Sequence, residues 1–168
     1  MDSDQQERQE QGRLDERELR AWQTFIQMQE VLRGRIEQQL QACSGLSMAD
    51  YSVLSVLSGA PGGRLRAYCL SATLGWEKSR LHHQLTRMCR RGLAERHAGE
   101  SRASYVQITP QGLTTLEQAA PQHSRHVRRL VIDRLRPDQL DQLAEISAAI
   151  LGPLQRDQHD QHSGDPGD

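Results

Sequence analysis

Apolar residues recur at steps of three and four through most of the chain, and the breaks in that rhythm divide it into elements. Leu19, Trp22, Phe25, Ile26, Leu32, Ile36 and Leu40 form one stripe that stops before Gly45, predicting a long amphipathic helix over 14–44. Ser47 then precedes Met48, Ala49 and Asp50, a capping hydroxyl with an acid in the first turn, and Tyr51, Val53, Leu54, Val56 and Leu57 fill a short apolar helix. Gly59, Pro61, Gly62 and Gly63 end it. Ala67, Leu70 and Leu74 predict a third, very short helix closed by Gly75. Leu81, Leu85 and Met88 are the inward stripe of a fourth, from about Glu77 to Arg91, with Gly92 at its end.

From Leu93 to Thr109 the period becomes extended. Leu93–Arg96 and Tyr105–Ile108 predict two short strands around the small, polar stretch His97–Arg102. Thr109 and Pro110 read as N-cap and first residue of a helix carrying Leu113 and Leu116. Pro121 lacks a backbone donor and is expected to kink or interrupt that helix before Val127, Leu130, Val131 and Leu135 resume the stripe. Pro137 opens a last helix lined by Leu140, Leu143, Ala144, Leu151 and Leu154, frayed by Gly152–Pro153. The expected fold is mainly α: six helices with a small β-hairpin wing in a single domain over 14–154. Residues 1–13 read as a disordered acidic lead and 155–168 as a disordered acidic tail, both polar and aperiodic.

Two short helices around the Gly75 turn make a helix-turn-helix, and the fourth helix is the one a groove would receive. At about 100° per residue, with Leu81 at zero, Leu85 and Met88 fall within about 40° of it, while Ser79, His83 and Arg90 lie near the opposite side. Arg80, Thr86 and Arg87 flank that outer face. It therefore carries hydroxyls, an imidazole and guanidiniums, all hydrogen-bond donors. Beyond Glu77 the stretch contains Lys78, Arg80, Arg87, Arg90 and Arg91 with no interleaved acid. An ordinary solvated face would carry such acids, and this one repels itself unless an anion meets it. Arg96 and Arg102 bracket the loop between the strands, where a cation can reach a minor groove. The pattern is a winged helix-turn-helix.

Charge segregation changes the picture more than the total of −1 over 168 residues. Residues 64–102 carry nine basic and three acidic side chains, whereas 1–20 carry four and seven and 137–168 carry one and seven. A basic middle between acidic ends implies an anionic partner for the middle. Lys78 is the only lysine among 21 basic residues, so nearly every cation is a guanidinium, suited to bidentate contact with phosphate or guanine. With 26 % charged residues and no apolar run near the roughly 20 residues of a membrane span, an integral membrane protein is excluded. The polar, acidic start carries no secretory pattern, and the expected location is the cytoplasm.

Lys78-Ser79 with the preceding Leu74-Gly75-Trp76-Glu77, Leu85-Thr86-Arg87-Met88-Cys89-Arg90-Arg91-Gly92-Leu93, and Glu100-Ser101-Arg102-Ala103-Ser104-Tyr105-Val106-Gln107-Ile108-Thr109-Pro110-Gln111-Gly112 together resemble the MarR family of bacterial winged helix-turn-helix transcription regulators. The likeness runs from about Glu18 to Leu154. It implies a homodimer whose first and last helices interlock, 14–44 and 110–154 serving dimerisation and 47–109 forming the DNA-binding lobe. It also implies that Glu100 orients the wing arginine, Arg102; Ala103 stands where the family commonly has glycine. The function expected is that of a sequence-specific regulator, a repressor in the usual case, on double-stranded DNA. Lys78, Ser79, Arg80, His82, His83, Thr86, Arg87, Arg90, Arg96 and Arg102 are the candidate DNA-binding residues. A small-molecule effector is a further implication of the resemblance. Trp22, Tyr51, Tyr68 and Trp76 are available to line its pocket, although aromatics on apolar faces are more often core.

Other chemistry is thinner. Cys43, Cys69 and Cys89 are an odd number without metal-ligand spacing and read as reduced thiols. Arginines near Cys89 would favour a thiolate, so redox sensing through Cys89 or Cys69 stays open beside a role as small buried hydrophobes. The pairs His82–His83, His123–His126 and His159–His162 have no neighbouring carboxylate cluster, and no metal or cofactor is expected. No nucleophile elbow, phosphate-binding glycine loop or His-Glu-x-x-His occurs, so no enzyme is expected. The rivals to a specific regulator are a winged helix that docks an acidic protein and an architectural DNA protein without a preferred site.

Overall fold

The structure is a computed structural model and describes residues 12–98 and 104–162. It divides into two compact units, one ending at Arg35 and the other starting at Ile36. The boundary falls inside the first helix, α1 (Glu16–Ser44). Asp15 and Glu18 open α1 reciprocally: each side chain accepts the other's backbone N–H at 2.8 Å, which satisfies two of the donors a helix start leaves free. In the first unit Leu19, Trp22, Ile26, Met28 and Val31 are all exposed. The expected disordered lead lies, up to residue 11, outside the described residues.

The second unit holds the core. Ile36 and Leu40 from the end of α1 are buried, as are Leu46, Val53, Leu54, Leu57, Leu70, Leu81, Leu85, Met88, Leu93, Val106 and Leu116. α2 (Met48–Ser58) begins on the predicted cap, where the Ser47 hydroxyl accepts from Asp50 N at 3.0 Å and the Asp50 carboxylate accepts from Ser47 N at 2.9 Å. Then come β1 (Arg64–Arg66), α3 (Ala67–Leu74), α4 (Lys78–Arg90), β2 (Ala94–Ala98), β3 (Ser104–Ile108), α5 (Pro110–Leu130) and α6 (Pro137–His162). Gly75 adopts φ 62°, the left-handed cap predicted for it, and lets the chain reverse between α3 and α4.

Four expectations need correction. The sheet is three-stranded and antiparallel in the order β1-β3-β2, so the hairpin gains an edge strand. Arg64-Leu65-Arg66 alternates over only three residues, too few to announce a strand, and it becomes one only because β3 offers a free edge. Pro121 does not interrupt α5, which runs unbroken from Pro110 to Leu130. Its side chain is exposed, and the flanking stripe of Leu116, Ala119 and Val127 holds the helix across the one lost bond. The stripe does not run on to Leu135, because Val131 ends α5 and Ile132–Arg134 form a 3-10 turn. Finally, α6 does not end near Leu154: it continues through Pro153 to His162, so Gln155 to His162 are not a disordered tail. Leu154, Gln155 and Arg156 are good helix formers, and a single missing donor does not outweigh them.

Candidate nucleic-acid interface

On α4 the helical arithmetic holds residue by residue. Leu81, Leu85 and Met88 are buried, and Lys78, Ser79, Arg80, His82, His83, Arg87 and Arg90 are exposed. Gln84 is the exception, a polar residue 2 % exposed. The helix contains no acidic residue, and two of its last-turn residues, Arg87 and Arg90, are basic.

The arginines of this region were expected to be unopposed by acids, and for Arg91 that is wrong, while Arg87 meets only the neutral amide of Gln84. Arg91 Nη1 pairs with Asp50 Oδ2 at 2.6 Å, and its Nη2 donates to the Gly45 carbonyl at 2.7 Å. Gln84 Nε2 donates to the other Asp50 oxygen at 2.7 Å, and Arg87 donates to Gln84 Oε1. A buried carboxylate therefore organises two of the helix's cationic neighbours, because a charge removed from water must be matched by donors. No local sequence signal marks Asp50 for this beyond its place in the capping box.

The remaining basic side chains are partly pre-arranged. The Arg80 guanidinium lies 4.3 Å from the Trp76 ring centroid. Arg96 Nη2 donates to the His82 carbonyl at 2.7 Å and to Thr86 Oγ1 at 3.3 Å, tying β2 to α4. Thr86 is half-buried and donates its own hydroxyl to His82 O at 2.9 Å. Ser79 and His83 are thus the candidate base-facing residues that stand fully clear of the surface, with Thr86 recessed behind them. Glu100 and Arg102 fall outside the described residues. Two cations missed by sequence reasoning, Arg64 and Arg66, sit exposed on β1 beside Tyr105. The alternation of Arg-Leu-Arg was the available signal.

A cavity of about 280 Å³ opens between α3, α4 and the wing strands, lined among others by Tyr68, Lys78, Leu81, His82 and Arg96. Trp22, Tyr51 and Trp76 do not line it. Tyr51 instead packs against His123 of α5, with centroids 4.4 Å apart and the rings tilted by 46°. Burial, with nearby His126 adding repulsion, holds the His123 pKa below the usual histidine value. Cys69 is exposed, while Cys43 and Cys89 are half-buried. Among the described residues no group of three or more His, Cys, Asp or Glu could hold a metal ion, and no helix is long and apolar enough to cross a membrane.

No protein-family model and no curated protein matches the chain. Solved structures do. Sco3205, a MarR family transcriptional regulator from Streptomyces coelicolor solved in complex with DNA, is 30% identical, with 84% of this chain and 94% of that one covered at a TM-score of 0.82. AbsC, a MarR family transcriptional regulator from the same organism, is 36% identical over 85% and 97% of the two chains, with a TM-score of 0.81. The M. tuberculosis transcriptional regulator MOSR, also solved with DNA, is 26% identical over 79% and 96%, with a TM-score of 0.64. Nearly the whole length of each relative is covered, and Sco3205 and AbsC are 30% and 36% identical, so the chain belongs to the MarR family of transcriptional regulators, which are not enzymes.

Proposed function

We propose that this protein is a cytoplasmic, sequence-specific DNA-binding repressor that occupies a pseudopalindromic operator as a homodimer and is released by a small molecule. The observation that carries the reading is α4 itself, an amphipathic helix whose outer face holds Lys78, Ser79, Arg80, His82, His83, Arg87 and Arg90 without a carboxylate, next to a β-hairpin. Such a face requires a polyanion, and relatives of this fold are solved on DNA. Ser79, His83 and Thr86 approach base edges. Lys78, His82, Arg80, Arg87 and Arg90 fix phosphates, Arg96 holds the wing to the helix, and Arg102, oriented by Glu100, enters the minor groove.

Residues 47–109 form the reading lobe, and 14–44 with 110–154 form the dimer contacts. Exposed apolar side chains on α1 and, separately, on α6 support the second assignment, since Trp22, Val31, Ile146, Ile150 and Leu154 are each about half or more uncovered. Half-sites then lie one helical turn, roughly 10 bp, apart. The cavity beside Lys78 and His82 suits a small effector whose binding would compete with the phosphates.

The test is footprinting over the gene's own upstream region, followed by titration of that duplex and a random duplex across salt concentrations. The expected outcome is a protected two-fold site and an affinity that falls linearly in log–log form with salt. A flat salt response with no protection would overturn the reading and leave an acidic protein as the partner of the arginine face.

A further inference from the structure

We propose that the outward face of the sheet is a second station for the DNA backbone, in which Arg64 and Arg66 of β1, braced by Tyr105 of β3, each take a phosphate outside the footprint of α4 and the wing tip. The inference rests on the DNA-binding reading above and extends it to residues that reading does not use.

Strand alternation puts Arg64 and Arg66 on one face of the sheet and half-buried Leu65 on the other, opposite buried Val106. Register then sets Tyr105 directly across from Arg66, with Gln107 across from Arg64. The Arg64 guanidinium carbon lies 4.0 Å from the Tyr105 ring centroid, and that of Arg66 lies 5.7 Å from it. Arg66 Nε also donates to the Tyr105 hydroxyl at 3.1 Å, which raises the arginine's pKa further and keeps the cation fixed. One ring thereby holds two like charges that would otherwise swing apart. The bracing uses the Arg66 Nε and the flat side of Arg64, and leaves both terminal forks free to grip an oxyanion.

Among the described residues neither arginine pairs with a carboxylate, and Glu95, the acid on the same face of β2, lies 3.5 Å from His97. Exposed cation–ring contacts contribute about 0.5–1 kcal/mol, and one arginine would suffice for that, so reinforcement of the sheet does not account for two. The place of the patch identifies the partner. Arg66 is followed by Ala67 and Tyr68, which share the walls of the cavity with Lys78, His82 and Ser104. The patch is therefore joined through Ala67 and Tyr68 to the start of α4 and to the strand that leaves the wing turn. A phosphate backbone that runs on from α4 toward these residues would meet β1 next.

Arg64→Gln, Arg66→Gln and the double variant test this by fluorescence anisotropy on the footprinted duplex and on a random one, each across a salt series. Each substitution removes one contact per protomer and two per dimer, so it should lower the slope of log K against log salt by about 2 and the double by about 4, with the same fold loss on both duplexes because phosphates carry no sequence. Ethylation interference should lose its outermost phosphates in the double variant. The paired Arg64→Lys and Arg66→Lys protein keeps charge and should retain the slope, which separates a lost contact from a damaged sheet. Unchanged slopes and interference patterns in the Gln variants, with the parent binding normally, overturn the second station and leave α4's role intact. A parent that binds no duplex overturns both.

Discussion

Asp50 is 2 % exposed and serves three segments at once. Its carboxylate closes the cap of α2 through Ser47 N, takes the amide of Gln84 on α4, and pairs with Arg91, whose other terminal nitrogen grips the Gly45 carbonyl at the end of α1. Asp50→Ala removes the acceptor and leaves a buried amide and a backbone N–H without partners, so the unfolding free energy should drop by on the order of 3 kcal/mol. Arg91→Ala leaves the Asp50 carboxylate, 3 % exposed at its side chain, without its cation; Ser47 N and Gln84 still donate to it and water enters where the half-exposed arginine stood, so the cost should be on the order of 2 kcal/mol. Combining the two should cost less than their sum, since each single change already breaks the same pair; urea unfolding of the four proteins reads this directly. Strict additivity would mean that the pair with Arg91 contributes nothing and that Asp50 acts through the cap and Gln84. The pairing was illegible in the sequence because its partners are 41 residues apart and only tertiary placement joins them. Leu81, Leu85 and Met88 were legible because a helix encodes its buried face within a few residues.

Thr109 and Gly112 show how a junction between elements is written. The Thr109 hydroxyl accepts from Gly112 N at 2.9 Å and donates to the Gly92 carbonyl at 2.6 Å, locking the start of α5 against the turn that leaves α4. The approach is so close that a Cβ on Gly112 would stand 2.1 Å from the Leu93 carbonyl oxygen. In an exposed helix Gly→Ala is worth about 1 kcal/mol of stabilisation. Here the overlap is with backbone and reverses the sign: Gly112→Ala should destabilise by on the order of 3 kcal/mol, measured by thermal unfolding, and a raised melting temperature would refute the close packing. The Thr109-Pro110 start was readable from residue types, since an N-cap followed by proline is a local signal. What local signals could not supply was the outcome of competition. Pro121 and Pro153 read as breaks, yet the helices continue through both, because one missing donor is set against two or more turns of favourable residues on either side. β1 failed for the converse reason: three residues carry too little pattern, and the strand exists only by pairing with β3.

A reader of two half-sites has to be a pair, and the described chain leaves apolar surface that a lone protomer would expose to water. Trp22 at 53 % exposure in the first unit and Ile150 at 47 % in the second are the kind of side chains an interface covers, each worth about 1.5–3 kcal/mol when buried. Trp22→Glu or Ile150→Glu replaces that gain with a charge that must be desolvated, so the loss should exceed about 3 kcal/mol, and the dimer dissociation constant should rise at least about a hundredfold. Sedimentation equilibrium gives that constant. The same variants connect assembly to binding, because both positions lie outside the helix-turn-helix and should leave its circular dichroism intact. A monomer brings one copy of α4, one wing and one sheet face, hence half the phosphate contacts, so its log K should fall with log salt at about half the parent's slope. Variants that dissociate yet keep the full slope would show that each protomer grips DNA alone. Variants that stay dimeric would place the interface elsewhere, and the exposed stripes of α1 and α6 would then need a different partner.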